Sequence, residues 1–152
     1  MSPLENELLT KGVLVYKNKG DSMMPLLREN RDLLVIRTLT EPPKKYDAVL
    51  FKRPSTGTFV LHRIVKVCRD GSYRIVGDNR AVSERVPREW IIGILTEVIR
   101  DGEHLKPEGE RYRRYLKQVA RRRRKLLLLH YRDALLSRGK RLIRKIWPGA
   151  SA

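Results

Sequence analysis

Short apolar segments separated by turn-forming residues are the feature that most constrains the fold of this chain. Six such segments, rich in Val, Ile, Leu and Phe, lie at residues 13–16, 33–37, 48–52, 58–67, 73–76 and 91–99. Pro, Gly, Asn and Asp lie between them, and Asp70–Gly71 is the strongest hairpin signal. Because no long helical segment separates them, the pattern predicts a mainly β fold, either a compact antiparallel barrel or a folded sheet.

The chain changes character after residue 105. Residues 110–137 contain no Pro or Gly, and apolar residues recur among arginines with helical spacing, which predicts an amphipathic helix. Gly139 is expected to end this helix, and a second short basic helix is predicted over 140–147. We therefore divide the chain into a β domain, residues 1–105, and a basic helical tail, residues 106–152.

Positive charge is concentrated in this tail. From Arg111 to the C-terminus there are fifteen Lys and Arg residues against one acid, Asp133, whereas residues 1–110 are close to balance. Such a distribution favours an anionic partner for residues 111–147, although a solvated helix face is the alternative. An anionic membrane surface and a partner protein or acidic peptide substrate fit best, while nucleic acid is less favoured because aromatic residues are sparse and no recognition motif occurs.

Several other classes of protein do not fit the sequence. Cys68 is the single cysteine, so no internal disulfide can form, and no cluster of metal ligands or cofactor motif is visible. Residues 1–10 contain two acids and lack the apolar run of a signal peptide. The most apolar run, 126–129, is far shorter than the roughly 18 to 20 residues of a membrane span. We expect a cytoplasmic protein without metal or cofactor, either free or peripheral on a membrane.

Ser22 is a candidate nucleophile. It lies in a turn opened by Gly and closed by Pro, residues 20–25 (Gly-Asp-Ser-Met-Met-Pro), directly after the first apolar segment. A serine hydroxyl needs a base to attack a carbonyl. Of the three histidines, we expect His104 in a loop and His130 in the basic helix, whereas His62 lies within segment 58–67, a rigid element suited to holding a catalytic side chain.

His62 admits two interpretations. In an alternating strand it shares a face with Val60 and Ile64, where a histidine is commonly a satisfied core residue. The polar segment 77–84, however, offers carboxylates and a hydroxyl that could orient an imidazole. With an ordinary pKa of about 6.5, histidine is suited to deprotonate a serine at neutral pH. A lysine base, Lys66 or Lys52, would instead move the loss of activity to higher pH.

Four short motifs occur in one order along residues 12–100. They read Ser-Met-Met-Pro at 22–25, Tyr-Asp-Ala-Val-Leu-Phe at 46–51, Leu-His-Arg-Ile-Val at 61–65 and Gly-Asp-Asn-Arg at 77–80, followed by a segment at 86–93. This order resembles the clan of signal peptidase I and the self-cleaving SOS-repressor peptidases. In that clan the four motifs correspond, in order, to the nucleophile box, the Gly-Asp strand, the base box and the Gly-Asp-Asn box, and segment 86–93 corresponds to the approach to the last strand. The base box is similar to the histidine form of the archaeal and endoplasmic-reticulum signal peptidases.

The resemblance implies a serine endopeptidase with a mostly β peptidase domain. Ser22 would attack the peptide carbonyl and His62 would act as general base, with Glu84 or Asp78 as the acid that orients it. Ser83 stands where the lysine-using branch has a supporting serine. Substrate contacts are expected from the residues that flank the nucleophile: Asp21, Met23, Met24 and Pro25.

Two departures from the family pattern affect the site. Gly20 replaces a serine that helps form the oxyanion hole in many bacterial members, so oxyanion stabilisation would depend on backbone amides, including that of Ser22. Asp21 would either select a basic substrate residue or simply form the turn.

A third departure affects the substrate. Neither the membrane anchor of signal peptidases nor the DNA-binding domain of SOS repressors is visible in the sequence. We expect a stand-alone peptidase that processes a cytoplasmic precursor, such as a leader-containing peptide. The alternative is a non-catalytic module that binds nucleic acid or an anionic membrane through its tail.

Overall fold

In the computed structural model of this chain, the structure describes the backbone of residues 2–146 and the side chains of residues 2–136. The elements, in chain order, are α1 (Pro3–Lys11), β1 (Val13–Lys17), β2 (Leu33–Arg37), β3 (Ala48–Lys52), β4 (Phe59–Val67), β5 (Tyr73–Val76), β6 (Glu84–Val86), a 3-10 turn (Arg88–Trp90), β7 (Ile91–Arg100), β8 (Glu103–Leu105) and α2 (Gly109–Ile146).

The eight strands of the described residues form one antiparallel sheet. Their order is β1-β2-β7-β3-β4-β5-β6, and β8 pairs with β7. β1 and β6 therefore end this order, and the sheet is not closed into a barrel. The predicted mainly β fold with a C-terminal helix is confirmed, and of its two forms the folded sheet is the one adopted.

Two hydrophobic clusters lie on opposite faces of the sheet, because successive residues of a strand point to opposite sides. Leu50 belongs to the first cluster, together with Leu8 of α1 and Leu27. The flanking Val49 and Phe51 belong to the second. The first cluster holds α1 and the segment between β1 and β2 against the sheet, and that segment carries Ser22.

All six predicted strands are present with bounds within one residue of those expected, and the hairpin at Asp70–Gly71 joins β4 to β5. The structure adds α1, β6 and β8. Helix α1 begins with a capping box: Ser2 Oγ accepts from the Glu5 amide at 3.2 Å, and Glu5 Oε2 accepts from the Ser2 amide at 2.8 Å. Gly12, with φ of 69°, ends the helix.

The expectation that Gly139 ends the tail helix is wrong. Helix α2 runs without a break through Gly139 to Ile146, so residues 140–146 continue it instead of forming a second helix, and Trp147 lies outside the described residues. One interior glycine costs only about 1 kcal/mol, which is too little to stop a helix flanked by Arg and Lys. Within residues 2–146, no helix is both long enough and apolar enough to cross a membrane.

Candidate active site

Ser22 lies in a compact turn that packs on the hydrophobic core. The Met24 amide donates to the Asp21 carbonyl at 3.0 Å, and the Leu27 amide donates to the Met23 carbonyl at 3.1 Å, so the chain makes a short helical turn. Met23 and Leu27 point into the first hydrophobic cluster and are almost completely buried. Ser22 is thus presented from a turn that is anchored at both ends.

The burial of Met23 corrects the expectation that it contacts substrate. Its side chain is 2% exposed, because a helical turn directs one of two adjacent methionines inward and the other outward. Met24 is 40% exposed and Pro25 is also exposed, so both are accessible to a substrate.

Gly77, directly after β5, lies next to both the Ser22 turn and His62. A Cβ atom at this position would lie 2.6 Å from the Ser22 carbonyl oxygen and 3.1 Å from His62 Nε2. The register pairs Arg63 with Val76, which places His62 beside Gly77. The Asn79 amide then donates to the Ser22 carbonyl at 2.8 Å. Only glycine permits this approach of the three segments.

His62 is held in a half-buried position on β4. As predicted from alternation, it shares the sheet face of Val60 and Ile64, which pack in the second cluster. Its Nδ1 lies 3.3 Å from Glu84 Oε1, although the two groups are not aligned as a hydrogen bond. Arg53 binds both oxygens of the Glu84 carboxylate: its Nη2 donates to Oε1 at 2.7 Å and its Nε donates to Oε2 at 3.1 Å.

The surroundings of His62 favour its neutral form. Burial lowers the pKa of His62 below its ordinary value; Glu84 opposes this shift, while Arg53 and Arg80 add to it. A neutral imidazole with one nitrogen facing a carboxylate has its other nitrogen free to accept a proton. In the described residues, no hydrogen bond links the Ser22 hydroxyl to His62.

Asp78, the other acid that the sequence offered for His62, has a different partner. Its carboxylate accepts from Arg63 Nε at 2.7 Å and from Arg63 Nη2 at 2.6 Å, and both side chains are almost fully buried. Tyr115 on α2 donates to the same carboxylate, and Arg63 Nη1 donates to Tyr112 Oη at 2.6 Å. Asp78 therefore joins the sheet to α2, and Glu84 is the acid that lies against His62.

Asp21 is tied to the Gly-Asp-Asn-Arg segment. Arg80 forms an ion pair with it, and Asn79 Nδ2 donates to its carbonyl at 3.3 Å and to its carboxylate at 3.2 Å. The hydrogen bonds from Arg80 lower the pKa of the Asp21 carboxyl. This arrangement favours the turn-forming interpretation of Asp21 over a role in selecting a basic substrate residue.

The remaining candidate bases lie elsewhere. His104 is in strand β8 and not in a loop; its Nδ1 is 2.9 Å from Glu97. His130 is exposed on α2. Lys52 pairs with Glu5 of α1 at 2.8 Å, and Lys66 is exposed beyond an irregularity in β4. None of them contacts the Ser22 turn.

Two arginines that sequence reasoning did not identify also belong to the candidate site. Arg53, at the end of β3, fixes Glu84, and Arg122 on α2 donates to Asn79 Oδ1 at 2.6 Å. No local pattern marks either residue, because their partners lie 31 and 43 residues away along the chain. Among residues 2–146, no group of three or more His, Cys, Asp or Glu is arranged to hold a metal ion.

No protein-family model matches this chain, and no curated protein matches it significantly. The resemblance to signal-peptidase-type enzymes therefore stays a prediction that rests on the sequence motifs.

Proposed function

We propose that this protein is a serine endopeptidase with Ser22 as nucleophile, His62 as general base and Glu84 as the residue that orients His62. One observation carries the proposal. Nδ1 of His62 lies 3.3 Å from Glu84 Oε1, and its Nε2 and the Ser22 carbonyl oxygen both lie beside Gly77, whose missing side chain leaves room for them. A base positioned by an acid on one side and facing a hydroxyl-bearing turn on the other is the arrangement that activates serine.

The reaction follows from these positions. Nε2 of neutral His62 accepts the Ser22 hydroxyl proton as Oγ attacks the peptide carbonyl. The amide nitrogen of Ser22 has no partner among the described residues, so it is open to the oxyanion of the tetrahedral intermediate. His62 gives its proton to the departing amine, which leaves an ester on Ser22. Water, deprotonated by His62, then hydrolyses that ester.

The missing hydrogen bond between Ser22 and His62 is compatible with this scheme. Catalytic hydrogen bonds of free enzymes are commonly long or misaligned and tighten when substrate binds. The Gly20 amide does not serve as a second oxyanion donor here, because it donates to Glu29 Oε1 at 3.0 Å.

The substrate we propose is an extended segment of a peptide or precursor protein, such as one that carries a leader. β1 is an outer strand whose chain leads directly to Ser22, and its free edge can pair with an added strand. Met24 and Pro25 lie exposed beside the nucleophile, where they can contact the residues near the cut.

The test is cleavage of a diverse peptide library, read by mass spectrometry. We expect Ser22→Ala and His62→Ala each to lower cleavage by about 1000-fold or more. Ser55→Ala, in an exposed loop, and His104→Ala, in β8, are the matched controls and should cut like wild type. Cleavage by Ser22→Ala at the wild-type rate, or no cleavage of either the library or a co-encoded precursor by wild type, would contradict the proposal.

A binding module on an anionic membrane is the second candidate, and one observation favours it. On α2, Leu128, Tyr131 and Leu135 follow one another at helical spacing and are 72%, 63% and 68% exposed, beside a run of arginines. Sedimentation of the Ser22→Ala protein with phosphatidylserine vesicles tests this role independently of cleavage. Absence of sedimentation with the vesicles, or sedimentation that survives Leu128→Gln with Leu135→Gln, would argue against it.

A further inference from the structure

A cleft lies between the sheet and α2, beside the segment that joins the nucleophile to His62. It has a volume of about 240 Å³, and it is bordered by Gly77 and Asp78. Its apolar walls are formed by Val65 and Val76 from the sheet and by Leu116, Val119 and Leu127 from the helix.

The charged side chains of this cleft do not balance. Lys45, Arg123 and Arg124 line it, and none of the three has an ion-pair partner among the described residues. The one carboxylate on its wall, Asp78, is already occupied by Arg63 and Tyr115. The cleft therefore presents three cations without a carboxylate partner beside apolar walls, and one of them, Lys45, also lies 4.9 Å from the centre of the Tyr46 ring.

Arg123 is the most exceptional of these cations. Its Nε atom is buried and has no hydrogen-bond partner, and burial lowers the pKa of its guanidinium. Although the Arg123 side chain is only partly buried, a guanidinium N–H that is removed from water without a partner is unfavourable, and an anion with hydrogen-bonding oxygens relieves that cost. Arg is also the side chain best shaped to bind a carboxylate through two parallel hydrogen bonds.

We infer that this cleft binds a carboxylate of an acidic peptide segment, with Arg123 as its main contact and neighbouring apolar side chains of the peptide on the walls. Charge complementarity selects the carboxylate, and the Val and Leu walls select a peptide with apolar residues beside it over a free anion. Because Gly77 borders this cleft and also adjoins the Ser22 carbonyl oxygen and His62 Nε2, we assign the segment to the substrate, and this assignment rests on the proposed peptidase function.

Binding can be measured without cleavage in the full chain carrying Ser22→Ala. The probe is a fluorescein-labelled twelve-residue peptide of alternating Glu and Leu, followed by anisotropy at 0.15 M salt. The comparison peptide has Gln in place of Glu. Sodium acetate and inorganic phosphate serve as free-anion competitors, and duplex DNA serves as a polyanionic one.

We expect Arg123→Gln to weaken binding of the Glu peptide by about ten-fold or more and to leave the Gln peptide little affected. Arg121→Gln is the matched control, because it removes the same charge from the same helix at an exposed position on the opposite side. Lys45→Gln, at an exposed loop position, should weaken binding in the same direction and keeps the test valid if Arg123→Gln does not fold.

Equal weakening by Arg121→Gln and Arg123→Gln would overturn the inference in favour of diffuse attraction to the basic helix. So would equal affinity for the Glu and Gln peptides, or displacement by DNA at concentrations where acetate and phosphate have no effect. A different result would overturn the peptidase proposal: cleavage would survive Ser22→Ala, whether or not the acidic peptide binds.

Discussion

His62 sets the expected pH dependence of activity. Because burial lowers its pKa below the ordinary value of about 6.5, the neutral, active form persists as the pH falls through 6.5, so the acid limb of kcat/KM should have its midpoint below that value. Glu84 raises this pKa, so Glu84→Gln should move the limb to still lower pH and reduce the maximum rate by about ten-fold or more. Cleavage assays from pH 4 to 9 provide the measurement.

Two results would contradict this assignment. A limb above pH 8 would point to a lysine base, and a limb that Glu84→Gln does not move would remove Glu84 from the site.

The lowered pKa of His62 also affects folding. Since the unfolded chain binds a proton on His62 more tightly than the native chain does, this residue lowers the free energy of unfolding as the pH drops below about 6.5.

The Gly77→Ala variant tests whether the site needs the close approach of the Ser22 turn and His62 at Gly77. In Gly77→Ala the new methyl group would lie 2.6 Å from the Ser22 carbonyl oxygen, which is backbone and cannot rotate away. We expect a loss of about 1–3 kcal/mol of stability and a fall of about 100-fold in kcat/KM, because the turn and His62 are forced apart. Gly57→Ala is the control: it strains the backbone through a positive φ, of 68°, but its new methyl group meets no atom within 4 Å. It should lose stability and keep activity; equal losses of activity in both variants would contradict the geometry.

At the same scale, motif, resemblance and alternation pointed to Ser22, His62 and Glu84 as candidates, but they did not separate Glu84 from Asp78. That choice depends on which face of the sheet each carboxylate reaches, and on Arg63 being buried beside Asp78. Tyr46 offers a smaller example. It adopts a φ of 81°, which glycine accepts without strain, and the motif that residues 46–51 resemble has Gly there.

Helix α2 is part of the site as well as a carrier of charge. Arg122 holds Asn79, whose amide and side chain in turn hold the Ser22 carbonyl and Asp21. We expect Arg122→Ala to lower kcat by about three- to ten-fold with KM and melting temperature little changed, since the lost contact is at the surface and positions the turn. Arg121→Ala, one residue away, should leave kcat unchanged, and Arg122→Lys should recover part of it. A rise in KM with unchanged kcat would show that Arg122 acts in binding instead.

The elements that sequence reasoning missed share a physical cause. β6 and β8 are three residues each, too short for alternation to be visible, and they exist because a longer neighbour supplies their hydrogen bonds. Helix α1 did have a local signal, because Ser2 and Glu5 form a capping box and Pro3 follows the cap. Its apolar run is too short to predict a helix by periodicity. The continuation of α2 through Gly139 depended on the weakness of one glycine against long helix-forming flanks.

At the scale of the whole molecule, the balanced β domain and the basic helix are joined through one buried ion pair. Arg63 and Asp78 are 1% and 2% exposed, and Tyr112 and Tyr115 of α2 bind the same two groups. Burial opposes the charge of Arg63, but Asp78 outweighs it and raises the pKa of the guanidinium above its ordinary value. The pair therefore keeps its charge inside the protein, where each member depends on the other.

Asp78→Asn should accordingly destabilise the protein by about 3–5 kcal/mol, because it leaves the Arg63 guanidinium buried without a counter-charge. Urea unfolding, followed by both tryptophan fluorescence and circular dichroism, provides the measurement. Asp70→Asn, which disrupts an exposed pair with Arg85, should change little. The comparison with Glu84→Gln separates the two acids: we expect Asp78 to determine stability and Glu84 to determine the pH profile of activity. If Asp78→Asn instead kept full stability and shifted the acid limb of activity, the roles assigned to the two carboxylates would have to be exchanged.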